Sequence, residues 1–443
     1  MGSEEYCGLG LAEASALIAA GEVSSVALTR AALARIERLE PELHAFVRVT
    51  PERALDDARR ADSEAPRGPL HGIPIALKDL VDTRGIATEA GTKVLAGRVP
   101  DADAAVAARL AAAGTVLLGK LAMTEGAFSE HRPERPEPRN PWSPKHWTGV
   151  SSSGSGVAVA AGLAYGALGS DTGGSIRFPS SACGVTGLKP SRGRVSSQGI
   201  FPLAPSLDHV GVLARSAADC ALLFDAIAEP APPIGPARSI GLDRAVLAGI
   251  HPEVAAAAEQ ALDTFAALGF EVREVALPPL EPFARGWAVT VGVEAAAVHA
   301  EYYDRAPDDY GPAMRMLIEL GQAPPAGAYE ALEEARRDLA SAMARLHAQV
   351  DLVLLPALPV PTPTLATLAQ GGNDPDVVAA MLRFTAAFNY SGQPSLTLPA
   401  GFDADGLPIG LQLIGPILGE ERLLAAGRAF QQATDWHRQR PPP

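Results

Sequence analysis

The sequence is short of the features on which several protein classes depend. It has three cysteines, Cys7, Cys183 and Cys220, with no close pair and no histidine cluster beside them. That set excludes a disulfide framework and a structural zinc site, and no metal or cofactor is expected. Aromatic residues are only 5% of the chain, so a core has to rest on Ala, Leu, Val and Ile. Basic charge is in deficit: 37 Lys and Arg face 51 Asp and Glu, a formal net charge of -14. This balance offers no electrostatic footprint for nucleic acid or anionic lipid and favours neutral or cationic small molecules. No unbroken apolar run is long enough to span a bilayer, since residues 156–169 are glycine-rich and stop at Ser170 and Asp171. The N-terminus carries Glu4 and Glu5 and lacks a basic segment followed by an apolar one, so no targeting peptide is expected and the expected location is cytoplasmic.

What is present suffices for a large α/β protein. The 443 residues are 47% hydrophobic, enough for one large domain or two. Leu11, Ala14, Leu17 and Ile18 predict a helix that breaks at Gly21, and Ser24 or Ser25 can cap a second helix through Leu39. Residues 73–78 read as a strand ending in Lys78, and an Ala-rich helix near 103–113 precedes a strand at 115–118, the α/β alternation. Residues 131–148 form a Pro- and charge-rich loop, and 229–236 a linker or crossing loop. Residues 283–347 look mostly helical. Strands follow at Leu352–Leu355, Ser395–Leu398 and Ile409–Ile414, with a closing helix from about Glu420.

Two Gly/Ser-dense segments carry the chemistry. Gly149-Val150-Ser151-Ser152-Ser153-Gly154-Ser155-Gly156 precedes an apolar run, and Gly169 to Pro179 contains Asp171-Thr172-Gly173-Gly174-Ser175-Ile176-Arg177. Taken singly, either could be a flexible surface loop, but the apolar flank implies a loop docked on a core. Neither is a phosphate-binding P-loop, a dinucleotide GxGxxG or a GxSxG elbow. Consecutive glycines let backbone N–H groups converge on an anion, and an oxyanion donor contributes about 3 kcal/mol to a transition state. A serine nucleophile still needs a base. Lys78, closing an apolar strand, could be a surface lysine; with two serine clusters downstream it fits a Ser–Lys system in which burial lowers the amine's pKa.

These segments, together with Gly72 to Asp79, Cys183 to Pro190, Ser206-Leu207-Asp208-His209 and the C-terminal Pro399-Ala400-Gly401 and Gly410 to Gly415, closely resemble the amidase signature family over nearly the whole chain. The resemblance implies a single α/β/α domain spanning 1–443, with a mixed twisted central sheet flanked by helices. Its catalytic core would lie at 65–225, and a variable helical segment at about 283–350 would face the substrate. It implies Ser175 as acylating nucleophile, Ser151 after a cis peptide bond as proton relay, and Lys78 as base. Backbone amides of Thr172, Gly173 and Gly174 would form the oxyanion hole, and Ser152, Asp171 and Arg177 would support the loop. Two departures from the family pattern stand out, Val150 before the expected cis bond and Ser153 in place of a glycine.

The leading expectation is therefore a hydrolase of small-molecule amides, with carbamates or esters within the same chemistry, acting as a monomer or homo-oligomer. Substrate selection is expected in 125–145 and 283–350. An alternative is the ammonia-generating glutaminase subunit of a tRNA-dependent transamidation complex, and a third is a silent binding module on the same fold. Cys183 is expected in the packed core; Tyr302, Tyr303 and Tyr310 suit either a pocket rim or a helix packing face. His131, His146 and His209 are too scattered for a metal site.

Overall fold

The computed structural model describes residues 2–371 and 374–442. Eleven strands form one mixed sheet: β1 (Phe46–Val49), β2 (Pro74–Lys78), β3 (Val116–Leu121), β4 (Gly166–Asp171), β5 (Thr186–Lys189), β6 (His209–Ala214), β7 (Ser239–Leu242), β8 (Glu271–Glu274), β9 (Leu352–Pro356), β10 (Ser395–Phe402) and β11 (Pro408–Ile414). Their order is β1-β3-β2-β4-β6-β5-β10-β11-β9-β7-β8. Parallel pairs join β3 to β2 and β2 to β4. Antiparallel pairs run from β4 through β6, β5, β10 and β11 to β9.

Strands β2 to β6 and β9 are buried along their whole length, so helices must cover both faces, and these strands lack the inside–outside alternation of a half-exposed sheet. The edge strand β8 is largely exposed and carries alternating charge, which discourages edge-to-edge association.

The N-terminal helices form as their caps dictate. Ser24 Oγ accepts from Ala27 N–H at 3.1 Å to open the helix Ser25–Leu43, while Ser25 Oγ donates to the Gly72 carbonyl at 2.7 Å instead. This helix continues beyond Leu39 because Pro41 lies in its last turn, where the missing N–H costs one bond only. The Glu40 carboxylate then accepts from Ala45 and Phe46 N–H and fixes the exit. Residues 229–236 are a crossing loop between the helix Ala217–Ile227 and β7 of the same sheet.

The topology sets the site. Strands β2 and β4 are parallel neighbours, with Leu77 opposite Leu168. Lys78 therefore ends its strand beside Gly169, Ser170 and Asp171. The helix Ser153–Ala160 leads into β4, and after β4 the chain turns into the helix Arg177–Cys183. These two helices sit close enough that a Cβ on Gly156 would lie 2.9 Å from the Pro179 ring. No helix among the described residues is long and apolar enough to cross a membrane.

Candidate active site

Lys78 is fully buried. Its ammonium nitrogen has three hydroxyl partners: Ser151 Oγ at 2.7 Å, Ser170 Oγ at 2.8 Å and Ser152 Oγ at 2.9 Å. No carboxylate forms an ion pair with it among the described residues. Burial pushes its pKa down from the ordinary lysine value to about 7, against a partial counter-effect from Asp171 and Asp208. A lysine deprived of water but given only neutral partners loses much of the solvation that favours its charge.

The hydroxyls around Lys78 are not equivalent. Ser152 Oγ donates to the Ser170 carbonyl at 3.1 Å and accepts from Ser170 N–H at 3.3 Å. With its hydrogen so directed, Ser152 receives a bond from Lys78 and holds the amine in place. Ser151 is not so committed. Ser170 has no distinguishing signal of its own in the sequence; its place on β4, next to the end of β2, brings it to the lysine.

The Val150–Ser151 peptide is cis. Gly149 precedes it with φ +77°, and a Cβ there would lie 2.3 Å from Pro179 N, so only glycine fits. The two departures from the family pattern are accommodated: Val150 lines the cavity described below, and Ser153 opens its helix with Oγ 3.0 Å from His131 Nε2. Burial, followed by the nearby charge of Lys78, pushes the His131 pKa down to about 4, which keeps this ring neutral at ordinary pH.

Ser175 stands where the loop after β4 meets the cavity. Its carbonyl accepts from Ser152 N–H at 3.2 Å, which ties the two serine segments together. No hydrogen bond joins the Ser175 and Ser151 hydroxyls; such contacts commonly tighten only in a substrate complex. Among the described residues, the backbone N–H groups of Thr172, Gly173 and Gly174 donate to no protein acceptor. Gly174 has φ +145°, and a Cβ on it would meet the Phe178 ring at 2.5 Å.

Beneath this loop lies a buried ion pair. Arg177 binds Asp171 through Nη2 at 2.7 Å and Nε at 3.0 Å. Burial alone would raise the Asp171 carboxyl, but the Arg177 guanidinium holds it well below the usual carboxylate range. Asp171 Oδ2 also accepts from Ile176 N–H at 3.0 Å, so the pair closes the turn that carries Ser175. Asp208 supports the same loop from β6's approach: Thr172 Oγ1 donates to its Oδ1 at 2.6 Å.

Ser175 opens into a cavity of about 520 Å³. Its walls are aromatic and aliphatic, among them Phe128, Trp147, Phe178, Trp287, Leu368 and Met381. Glu130, Glu137 and His131 also line it, and no Arg or Lys does among the described residues. The loop 125–145 contributes residues 127–131, Glu137 and Pro138. From 283–350, however, only Trp287 reaches the cavity, whereas the helices Leu365–Gly371 and Pro375–Leu382 supply much of its apolar wall. Tyr302, Tyr303 and Tyr310 pack instead among helices, with Tyr310 Oη 2.9 Å from His299 Nδ1. Cys183 is a core residue, its thiol pushed up by burial.

A sheltered amine among hydroxyls, beside a glycine-lined turn whose serine opens onto an apolar cavity, fits a hydrolase of amide bonds. The amidase family model matches residues 27–424. AmiD of Mycobacterium tuberculosis, provisionally named an amidase, is 44% identical over 98% of this chain and 96% of its own. A glutamyl-tRNA(Gln) amidotransferase subunit from Roseiflexus sp. strain RS-1 is 38% identical, covering 98% of each chain. The peptide amidase structure from Stenotrophomonas maltophilia superposes with a TM-score of 0.81 at 31% identity, covering 98% of both chains. The chain belongs to the amidase signature family and is an enzyme that hydrolyses amide bonds of small molecules.

Proposed function

We propose that the enzyme is a self-sufficient amidase that acylates Ser175 with the apolar or aromatic acyl group of an uncharged or cationic amide, its catalytic core lying within 65–225. The observation that carries this reading is Lys78, fully buried among three hydroxyls, one of them on Ser151, the residue after the cavity-lining Val150, while Ser175 opens onto that same cavity.

Neutral Lys78 takes the Ser151 proton as Ser151 takes that of Ser175, and Ser175 Oγ adds to the carbonyl carbon. The oxyanion meets the N–H groups of Thr172, Gly173 and Gly174. The proton held on Lys78 returns through Ser151 to the amide nitrogen, the C–N bond breaks, and the amine or ammonia leaves. Water then takes the place of the amine: Lys78, through Ser151, accepts its proton as the hydroxyl adds to the ester carbon. The C–O bond to Ser175 breaks, Ser175 Oγ takes the proton back from Lys78 through Ser151, and the carboxylic acid leaves. General acid–base help of this kind contributes about 10²- to 10⁴-fold.

The cavity lining favours this over glutaminase work. Glutamine would bring an α-carboxylate into a space without Arg or Lys and with Glu130 and Glu137 on its wall; an unpaired carboxylate in such a place is costly. A panel of amides presented to the purified chain, with released amine quantified, tests the reading. Aryl and branched aliphatic amides are expected to exceed glutamine by about 10²-fold or more in kcat/KM. Turnover confined to glutamine, or dependent on a partner chain, would contradict it.

A further inference from the structure

The three amides of the oxyanion hole belong to three consecutive peptide groups, and each group has its carbonyl end held by a side chain from far along the sequence. Asn389 Nδ2 donates to Asp171 O at 2.9 Å. Trp287 Nε1 donates to Thr172 O at 2.9 Å. Thr385 Oγ1 donates to Gly173 O at 2.5 Å. These carbonyls are covalent partners of the N–H groups of Thr172, Gly173 and Gly174.

We propose that Trp287, Thr385 and Asn389 are positioning residues that aim and polarise the oxyanion donors. This inference rests on the assignment of Thr172, Gly173 and Gly174 as the oxyanion hole. The peptide group is planar, and the Val150–Ser151 bond is the one cis peptide among the described residues. In a trans peptide the N–H points opposite the C=O, so a side chain that fixes the carbonyl also fixes the direction of the donor. A Thr-Gly-Gly turn has little steric resistance to peptide rotation. Its orientation therefore has to be imposed from outside. Each external bond also draws electron density toward the carbonyl oxygen, which strengthens the N–H as a donor through chain polarisation.

The three donors are themselves held rigidly. The Trp287 ring stacks on Phe128 with centroids 5.9 Å apart and an interplanar angle of 13°. A Cβ on Gly173 would come within 2.6 Å of Trp287 Nε1, so the indole lies directly against the turn. Arg177 binds the Thr385 carbonyl through Nη1 at 2.8 Å and Asn389 Oδ1 through Nη2 at 2.5 Å. The same guanidinium that pairs with Asp171 thus holds the Asn389 side chain and the backbone of Thr385. Thr385 and Asn389 are wholly buried, and neither lines the cavity. Their bonds to the turn do not depend on any contact with substrate.

Steady-state kinetics on Trp287→Phe, Thr385→Val and Thr385→Ser test the proposal. A parallel titration uses an aryl trifluoromethyl ketone, to whose carbonyl carbon Ser175 Oγ adds, leaving the carbonyl oxygen as an anion and passing the serine proton to Lys78. Trp287→Phe and Thr385→Val are each expected to lower kcat by about 10-fold, part of the 10²- to 10³-fold effect of a whole donor. For Thr385→Val, whose side chain does not line the cavity, KM should stay within about threefold, because ground-state carbonyl contacts are weaker than those to the oxyanion. The ketone's inhibition constant should rise in step with the fall in kcat/KM. Thr385→Ser, which keeps the hydroxyl, should recover most of kcat. Unchanged kcat and ketone affinity in both the Phe and Val variants would overturn the proposal, as would a Thr385→Ser variant as impaired as Thr385→Val. Ser175→Ala, run alongside, separates the two levels: activity surviving there removes the site assignment itself.

Discussion

Ser175→Ala is expected to lose amide turnover by on the order of 10⁶-fold, the scale on which removal of a serine nucleophile acts in other hydrolases, with its thermal midpoint nearly unchanged. The hydroxyl forms no hydrogen bond to the protein among the described residues and opens into the cavity, so its loss leaves no buried partner unsatisfied. A fluorophosphonate should phosphonylate the parent enzyme at Ser175, with fluoride leaving as Oγ joins phosphorus, and should fail on the variant. Intact-mass spectrometry reads both. A variant that still turns over amides at the parent rate would place the nucleophile elsewhere. Since Ser151 is buried with its oxygen on Lys78, residual labelling at Ser151 would mean that the order of the two serines is reversed.

The second large effect is at Lys78. Lys78→Met keeps an unbranched side chain one atom shorter and removes the amine, and kcat/KM should fall by about 10⁴-fold. Folding is a separate measurement here, because Ser151, Ser152 and Ser170 each lose a donor in a buried place. An unsatisfied group of that kind costs about 1–3 kcal/mol, so the thermal midpoint should drop without the fold being lost. Lys78→Arg should not restore activity, for two reasons. Guanidinium stays protonated at any working pH, and the larger planar group has to enter a site with no exposed surface. An Arg variant within tenfold of the parent would remove Lys78 as the base.

The candidate site is legible in the sequence where it depends on contiguous residues. A glycine pair before Ser175, a serine pair at Ser151 and a lysine at the end of an apolar strand are local patterns, and the structure joins Lys78 to Ser151 at 2.7 Å. The mixed sheet flanked by helices likewise follows from the family resemblance. What escaped is what forms only on folding. Trp287, Thr385 and Asn389 reach the glycine turn from 115, 212 and 218 residues away, and nothing around them marks their targets. The helices Leu365–Gly371 and Pro375–Leu382 form a cavity wall from ordinary apolar residues that no local pattern sets apart from core positions. Short strands such as β1 and β7, four residues each, are paired by their neighbours rather than by a pattern of their own.

The central claim is that the amine of Lys78 is neutral while the enzyme works. The pH dependence of kcat/KM for an uncharged aryl amide reports the ionisation of the free enzyme. Burial lowers the lysine's pKa to about 7, and the protonated form is the inactive one, so activity should be lost as pH falls through that value and retained above it. The expected profile rises tenfold per pH unit below about 7 and levels off at higher pH. A profile that stays flat across that region, or one that rises only toward the ordinary lysine range, would contradict it.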